Sequence, residues 1–185
     1  MGRASAVGLD LSLAGLGVCA VPLDWDLRPE LVRAKTLGVS LSRGASVRDH
    51  TLRLMALARD VRTVLVYYGA RHVAIEDIGH FGRSKAATGI ELAELRGVIR
   101  VELEQIGIEP HFVGATDART LLYGQDVPRR LTPTNRKSWL FEPLKLCGLP
   151  LADHNQGDAF AVANWMLSEI GAPCLAGLLA PKAAE

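Results

Sequence analysis

Three carboxylates in this 185-residue chain stand where carboxylates are costly or conspicuous. Asp10 lies inside an apolar run, SAVGLDL, at residues 5–11. A charge there is expensive to bury without a partner. Glu76 closes the short run HVAIE, at the kind of strand end that presents ligands in α/β sheets. Asp77 follows it and must face the other way, because side chains alternate along a strand, so Glu76 alone is taken as the site acid. Asp158 opens an otherwise apolar stretch, DAFAVANWML. Asn155 and His154 precede it by three and four residues, on its face of a helix that reaches that far. Asp153 and Asn155 are each able to cap that helix. Singly, each acid has an ordinary reading: an edge strand meeting water, a solvated strand end, a helix-dipole acid. Together they form a pattern. Carboxylate oxygens select hard cations such as Mg²⁺ or Mn²⁺. Carboxylates converging from distant segments suit two ions about 4 Å apart, which can activate a water and stabilise the leaving oxygen of a phosphodiester.

The elements that must position these residues follow from the apolar pattern. Residues 5–11 and 15–21 read as a β-hairpin joined through Ser12, Leu13, Ala14 and Gly15, with a third strand over 31–39. Residues 47–68 have a helical period, with Leu54, Ala58, Val61, Leu65 and Tyr68 on one stripe. A strand over 72–76 ends in Glu76, and a polar, glycine-bearing loop follows at 79–85. A second helix over 86–106 has broad apolar coverage, including Ile90, Leu95, Val98, Val101 and Leu103. A strand over 110–114 and a short helix over 116–123 with a threonine cap come next, then a loop over 124–136. Helices are expected over 137–147 and 155–169, and the tail after Pro173 is expected to be loose. Three hairpin-linked strands followed by crossover helices imply an α/β fold: a mixed five-stranded sheet with helices on both faces. One domain over residues 1–172 accounts for the length.

Composition bounds the function classes. With 49% hydrophobic residues, 22% charged residues and a net charge of +1, the chain is neither disordered nor globally basic. Three scattered cysteines without a CxxC pair argue against a zinc ribbon and fit a reducing compartment. Asp10 interrupts the N-terminal apolar run, which disfavours a signal peptide, and no charge-free run approaches a membrane span. The expectation is a cytoplasmic protein without a membrane partner.

The motifs resemble a known family. VGLDLSLAGLGVCAV is similar to the first hairpin of the ribonuclease H-like superfamily. VAIEDIGHFGRSKAATGIELAELRGVIRVEL resembles the second motif of RuvC-type Holliday junction resolvases, and DHNQGDAFAVANW their third. The likeness spans about residues 5–168 and is strongest to the compact, bacteriophage-encoded branch, which would place the protein in a bacterium or a phage host. It implies a ribonuclease H-like fold and a metal-dependent endonuclease that symmetrically nicks four-way DNA junctions. It also implies Mg²⁺ or Mn²⁺ as cofactor, two ions per site, and a homodimer matched to the two-fold junction. Asp10, Glu76 and Asp158 would be metal ligands. Asn155 holds the position where the family usually has another Asp, or sometimes His, and His154 is close enough to substitute. Leu11-Ser12 replaces the family's usual Pro-Gly, a change expected to adjust only the turn.

DNA contacts are expected in two places. Phe81 sits in the loop where the family has an aromatic that enters the junction, beside Arg83 and Lys85. An aromatic face can stack on an unpaired base for about 1–3 kcal/mol. Between 119 and 145, six bases (Arg119, Arg129, Arg130, Arg136, Lys137, Lys145) oppose only Asp126 and Glu142 and form a candidate phosphate track. Lys137 is the foremost of these, since it is read as beginning a helix and matches a basic residue near the family's active site. Three alternatives stand beside the nuclease. Asn155 favours a branched-DNA-binding protein with weak cleavage. A related RNA-processing nuclease would prefer RNA or hybrid duplex. A phosphotransferase is suggested by the glycine-bearing hairpin, but it needs a second lobe that this length does not supply.

Overall fold

The computed structural model describes residues 3–13, 15–38, 46–77, 86–124 and 133–177, with backbone alone for 86–88 and 133–138. Five strands, β1 (Ser5–Asp10), β2 (Leu16–Pro22), β3 (Arg33–Leu37), β4 (Ala70–Glu76) and β5 (Pro110–Val113), form one sheet in the order β3-β2-β1-β4-β5. β1 pairs antiparallel with β2, and β2 with β3. β1 is parallel to β4, and β4 to β5. This is the expected mixed sheet. The central strand β1 is buried from Ser5 to Leu9, which is why its sequence is a continuous apolar run rather than an alternation.

Helices cover both faces. On one, α1 (Val47–Tyr67) and α2 (Ala86–Glu104) pack on Val7, Leu9, Val73 and Ile75. α1 buries Leu54, Leu57, Ala58, Val61 and Leu65 along the expected stripe. It starts at a capping box in which Ser46 and Asp49 satisfy each other's backbone donors. α2 buries a narrower stripe, Leu95, Ile99 and Leu103, than its composition suggests. Ile90 and Val101 point outward, 62% and 58% exposed.

On the opposite face lie α3 (Ala115–Tyr123), α4 (Pro133–Leu146) and α5 (His154–Glu169). α5 runs across the sheet and is buried almost all round, from Gln156 to Leu167. Its closeness to the sheet depends on two glycines. A Cβ on Gly8 would stand 2.1 Å from the Ala159 carbonyl oxygen, and one on Gly17 would stand 2.1 Å from that of Asn155. No side chain fits at either position, so β1 and β2 touch the backbone of α5 directly.

Several boundaries differ from expectation. α3 begins one residue early and is capped by Gly114, without a side-chain hydrogen bond, so no threonine caps it. α4 begins at Pro133, not Lys137. A proline lacks only a donor that the first helical turn leaves unpaired, so Pro133 starts the helix rather than prolonging the loop. The segment after Pro173 is held through Gly177: buried Asn164 donates from Nδ2 to the Leu175 carbonyl and accepts from the Leu175 N–H, at 2.7 and 2.8 Å. Gly177 N–H then donates to the Leu121 carbonyl at 3.1 Å. Among the described residues, no helix is long and apolar enough to cross a membrane.

Candidate active site

Asp10 is the last residue of β1 and Glu76 the last of β4, on neighbouring parallel strands. Leu9 registers with Ile75, so Asp10 and Glu76 lie side by side at the same sheet edge. Strand alternation turns both toward α5, in line with Gly8 and Ala74. Asp77 goes to the opposite face, where its Oδ1 accepts from Arg96 Nη1 of α2 at 2.6 Å. Asp158 comes down from the second turn of α5. The three acids are close enough to act on one another electrostatically.

Burial is the main cause of the unusual titration of Asp10 and Glu76. Asp10 is pushed up to about 8, first by removal from water and then by the negative charges of Glu76 and Asp158. Glu76 is also raised, chiefly by burial, with Arg119 pulling against the shift. Arg119, on α3, is the cation of the group. Its Nη2 and Nε both donate to Asp158 Oδ1, at 2.9 and 3.3 Å. Burial disfavours its charge, but Asp158 and Glu76 outweigh that and hold its pKa above the usual value. Behind it, Tyr123 donates from its hydroxyl to the Leu140 carbonyl and ties α3 to α4. Burial first, and then Asp158, raise the Tyr123 phenol.

The three candidates for a fourth ligand are placed differently. Asp153 is the N-cap of α5: Oδ1 accepts from the Gln156 N–H at 2.9 Å, and Oδ2 accepts from the Thr36 hydroxyl at 2.6 Å. Its carboxylate is committed to joining α5 to β3. Asn155 lays its side chain over Gly15, at the hairpin end beside Asp10. His154 borders a small cleft with Leu140, Phe141, Gly157 and Asp158, one helical turn from the acid. In the Leu11-Ser12 turn, the Leu13 carbonyl accepts from the Arg53 guanidinium of α1, which anchors the chain just past Asp10. Among the described residues, no three His, Cys, Asp or Glu side chains stand close enough as placed to hold a metal ion, and Arg119 is engaged with one of the acids.

The expected DNA contacts are mostly beyond reach of the structure. Phe81, Arg83, Lys85, Arg129 and Arg130 lie outside the described residues, and Arg136 and Lys137 are placed only as backbone in the first two turns of α4. Two members of the expected phosphate track have local partners instead: Arg119 binds Asp158, and Lys145 lies over the Phe141 ring, 4.6 Å from its centroid, and 3.7 Å from Glu142. Arg119 as a member of the acidic site is the residue that sequence reasoning missed. The available signal was its place beside Ala118, Leu122 and Tyr123 on the buried side of a short helix, where a cation needs an acidic partner.

No family model and no curated protein matches the sequence. Solved structures do match in shape. The chain superimposes on Thermus thermophilus RuvC with a TM-score of 0.62 at 17% identity, covering 91% of this chain and 97% of that one. T. thermophilus RuvC in complex with a Holliday junction substrate gives 0.62 at 18% identity, covering 90% and 96%. The yeast mitochondrial Holliday junction resolvase Ydc2 gives 0.52 at 10% identity, covering 91% and 79%. The mixed sheet with helices on both faces is therefore the ribonuclease H-like fold in the form that RuvC has.

Proposed function

We propose that this chain is a metal-dependent DNA endonuclease that binds four-way junctions and nicks them symmetrically. The observation that carries the reading is the convergence of Asp10, Glu76 and Asp158 from β1, β4 and α5 at one edge of a RuvC-type sheet. The donor set is chemically right for Mg²⁺ or Mn²⁺: hard carboxylate oxygens with more negative charge than one arginine balances. Asp10, Glu76 and Asp158 would hold the ions, with the Asn155 amide oxygen or His154 beside them. Bound there, the ions would activate a water for in-line attack and stabilise the departing 3′ oxygen, leaving a 5′-phosphate.

The chain's own contribution is positioning. Strand ends fix Asp10 and Glu76, and the backbone contacts at Gly8 and Gly17 fix the height of α5 and hence of Asp158. Lys137 and Arg136, at the start of α4, and Phe81, Arg83, Lys85, Arg129 and Arg130 are the proposed DNA contacts. A two-fold dimer suits a junction with two equivalent strands. The outward face of α2, where Ile90, Gly97 and Val101 share one stripe and a Cβ on Gly97 would meet open space, is the proposed dimer surface.

A second reading, junction binding with weak cleavage, draws on one observation. Asp153 is spent on capping α5, so the fourth ligand position has an amide rather than a carboxylate. The two readings part in a binding assay run beside a nicking assay with Mg²⁺ and with Mn²⁺. Binding with metal-dependent nicking, lost in Asp10→Asn, supports the nuclease; binding without nicking supports the alternative.

A further inference from the structure

The acidic site has its own cation. Arg119 donates twice to Asp158 Oδ1, and both side chains are about one-fifth exposed (21% and 20%), so the pair is shielded from solvent. Arg119 also acts electrostatically on Glu76 and Asp10. Three carboxylates thus share one guanidinium, and among the described residues no three donors stand close enough as placed to hold an ion. Asp158 is only partly exposed, so solvent screens its charge poorly and a cation beside it is favoured whether or not a metal is bound. The guanidinium and a divalent ion both draw on the same Asp158 carboxylate. Both are cations, and two cations crowded among buried acids repel each other unless one moves.

We propose that Arg119 is an internal counter-ion that competes with divalent metal for Asp158, holding the acidic site together without metal and leaving Asp158 when metal enters. The proposal rests on the reading of Asp10, Glu76 and Asp158 as a metal centre. The surroundings permit the exchange. Arg119 reaches Asp158 from a nine-residue helix that begins without a side-chain cap. Its long side chain can leave the acid without unfolding that helix. The backbone of α5, in contrast, is fixed against the sheet at Gly8 and Gly17, so Asp158 stays where it is. The arginine, not the acid, is the member that moves.

Calorimetric titration of metal-free protein with Mn²⁺ tests this. Arg119→Met and Arg119→Gln are expected to bind Mn²⁺ about tenfold or more tightly than the unaltered protein, a change of about 1.4 kcal/mol. Arg119→Lys, which keeps the charge but not the two-nitrogen fork on Asp158, is expected to bind Mn²⁺ with an affinity between those of the unaltered protein and Arg119→Met. Arg59→Met removes an exposed positive charge on α1, on the opposite face of the sheet, and is expected to leave the affinity unchanged. The arginine Nε–H signal of Arg119, followed by NMR, is expected to be protected without metal and to lose that protection at saturating Mg²⁺. Equal Mn²⁺ affinity in the unaltered protein and Arg119→Met, or a protected Nε–H that persists in Mg²⁺, overturns the counter-ion role and leaves the nuclease reading intact. No Mn²⁺ binding in any of the folded proteins overturns the metal centre itself, and the counter-ion with it. A Met variant that fails to fold leaves the Gln variant and the NMR signal to decide.

Discussion

Asp10 is the residue on which most of the site's energetics turn. Its carboxyl is raised from 3.8 to about 8, mainly by burial. Between those values the folded state holds a proton that the unfolded state has released. The stability of metal-free protein should therefore fall as pH rises from about 4 to about 8, by on the order of a few kcal/mol. Urea unfolding in EDTA across that range measures it. Asp10→Asn should flatten the slope and make the metal-free protein more stable than the unaltered one near pH 8, while abolishing nicking and sparing junction binding. A slope that Asp10→Asn leaves unchanged would show that Asp10 is ionised in the folded state without metal. This acid was legible in the sequence because a charge within an apolar strand has few explanations. Asp158 and Glu76 were legible through their positions at the edges of apolar runs. Arg119 was not, because its partner is 39 residues away: its place on the buried side of a short helix calls for an acidic partner but does not say which one.

At the scale of elements, two devices hold α5 where it presents Asp158. One is the absence of side chains at Gly8 and Gly17, and the other is the Asp153 cap with its Thr36 contact. Gly17→Ala forces a Cβ against the Asn155 carbonyl and should cost about 1–3 kcal/mol in chemical unfolding. Its cleavage rate should fall more than that of a surface variant of equal stability. Asp153→Ala should cost about 0.5–2 kcal/mol through loss of the cap. If Asp153 were instead a ligand, its loss would abolish metal binding at unchanged stability. Periodicity revealed nearly every strand and helix, since burial on a sheet or a helical stripe dictates residue type. It failed where backbone chemistry decides. Pro133 reads as a loop residue yet starts a helix, Thr116 reads as a cap yet lies inside one, and residues 173–177, in which Cys174 and Leu175 pack on the core, are tied down by hydrogen bonds to Asn164 that no periodicity announces. The glycines of β1 and β2 were visible, but their purpose appears only once α5 lies on them.

For the whole molecule, the near-neutral charge is a sum over separate regions. Three of the 20 acids, Asp10, Glu76 and Asp158, meet at one end of the sheet with Arg119 among them, and eight of the 21 bases, Arg119 included, fall within 79–85 and 119–145. The mixed sheet followed from hairpin-linked strands and crossover helices, whereas the strand order β3-β2-β1-β4-β5 needed three-dimensional structure. The apolar residues of α2 were visible in sequence, but not which of them face outward. Ile90 and Val101 do, and Val101→Glu should give a folded monomer by light scattering that binds junctions weakly and nicks them without symmetry. A dimer unaffected by Val101→Glu would move the interface elsewhere. The central claim is most directly tested by a nicking assay on a mobile four-way junction against linear duplex of the same sequence, with Mg²⁺, Mn²⁺ or EDTA. The account predicts paired nicks in the junction, none in the duplex, and no cleavage in EDTA or with Asp10→Asn. Cleavage that does not distinguish junction from duplex, or that persists in EDTA, would contradict it.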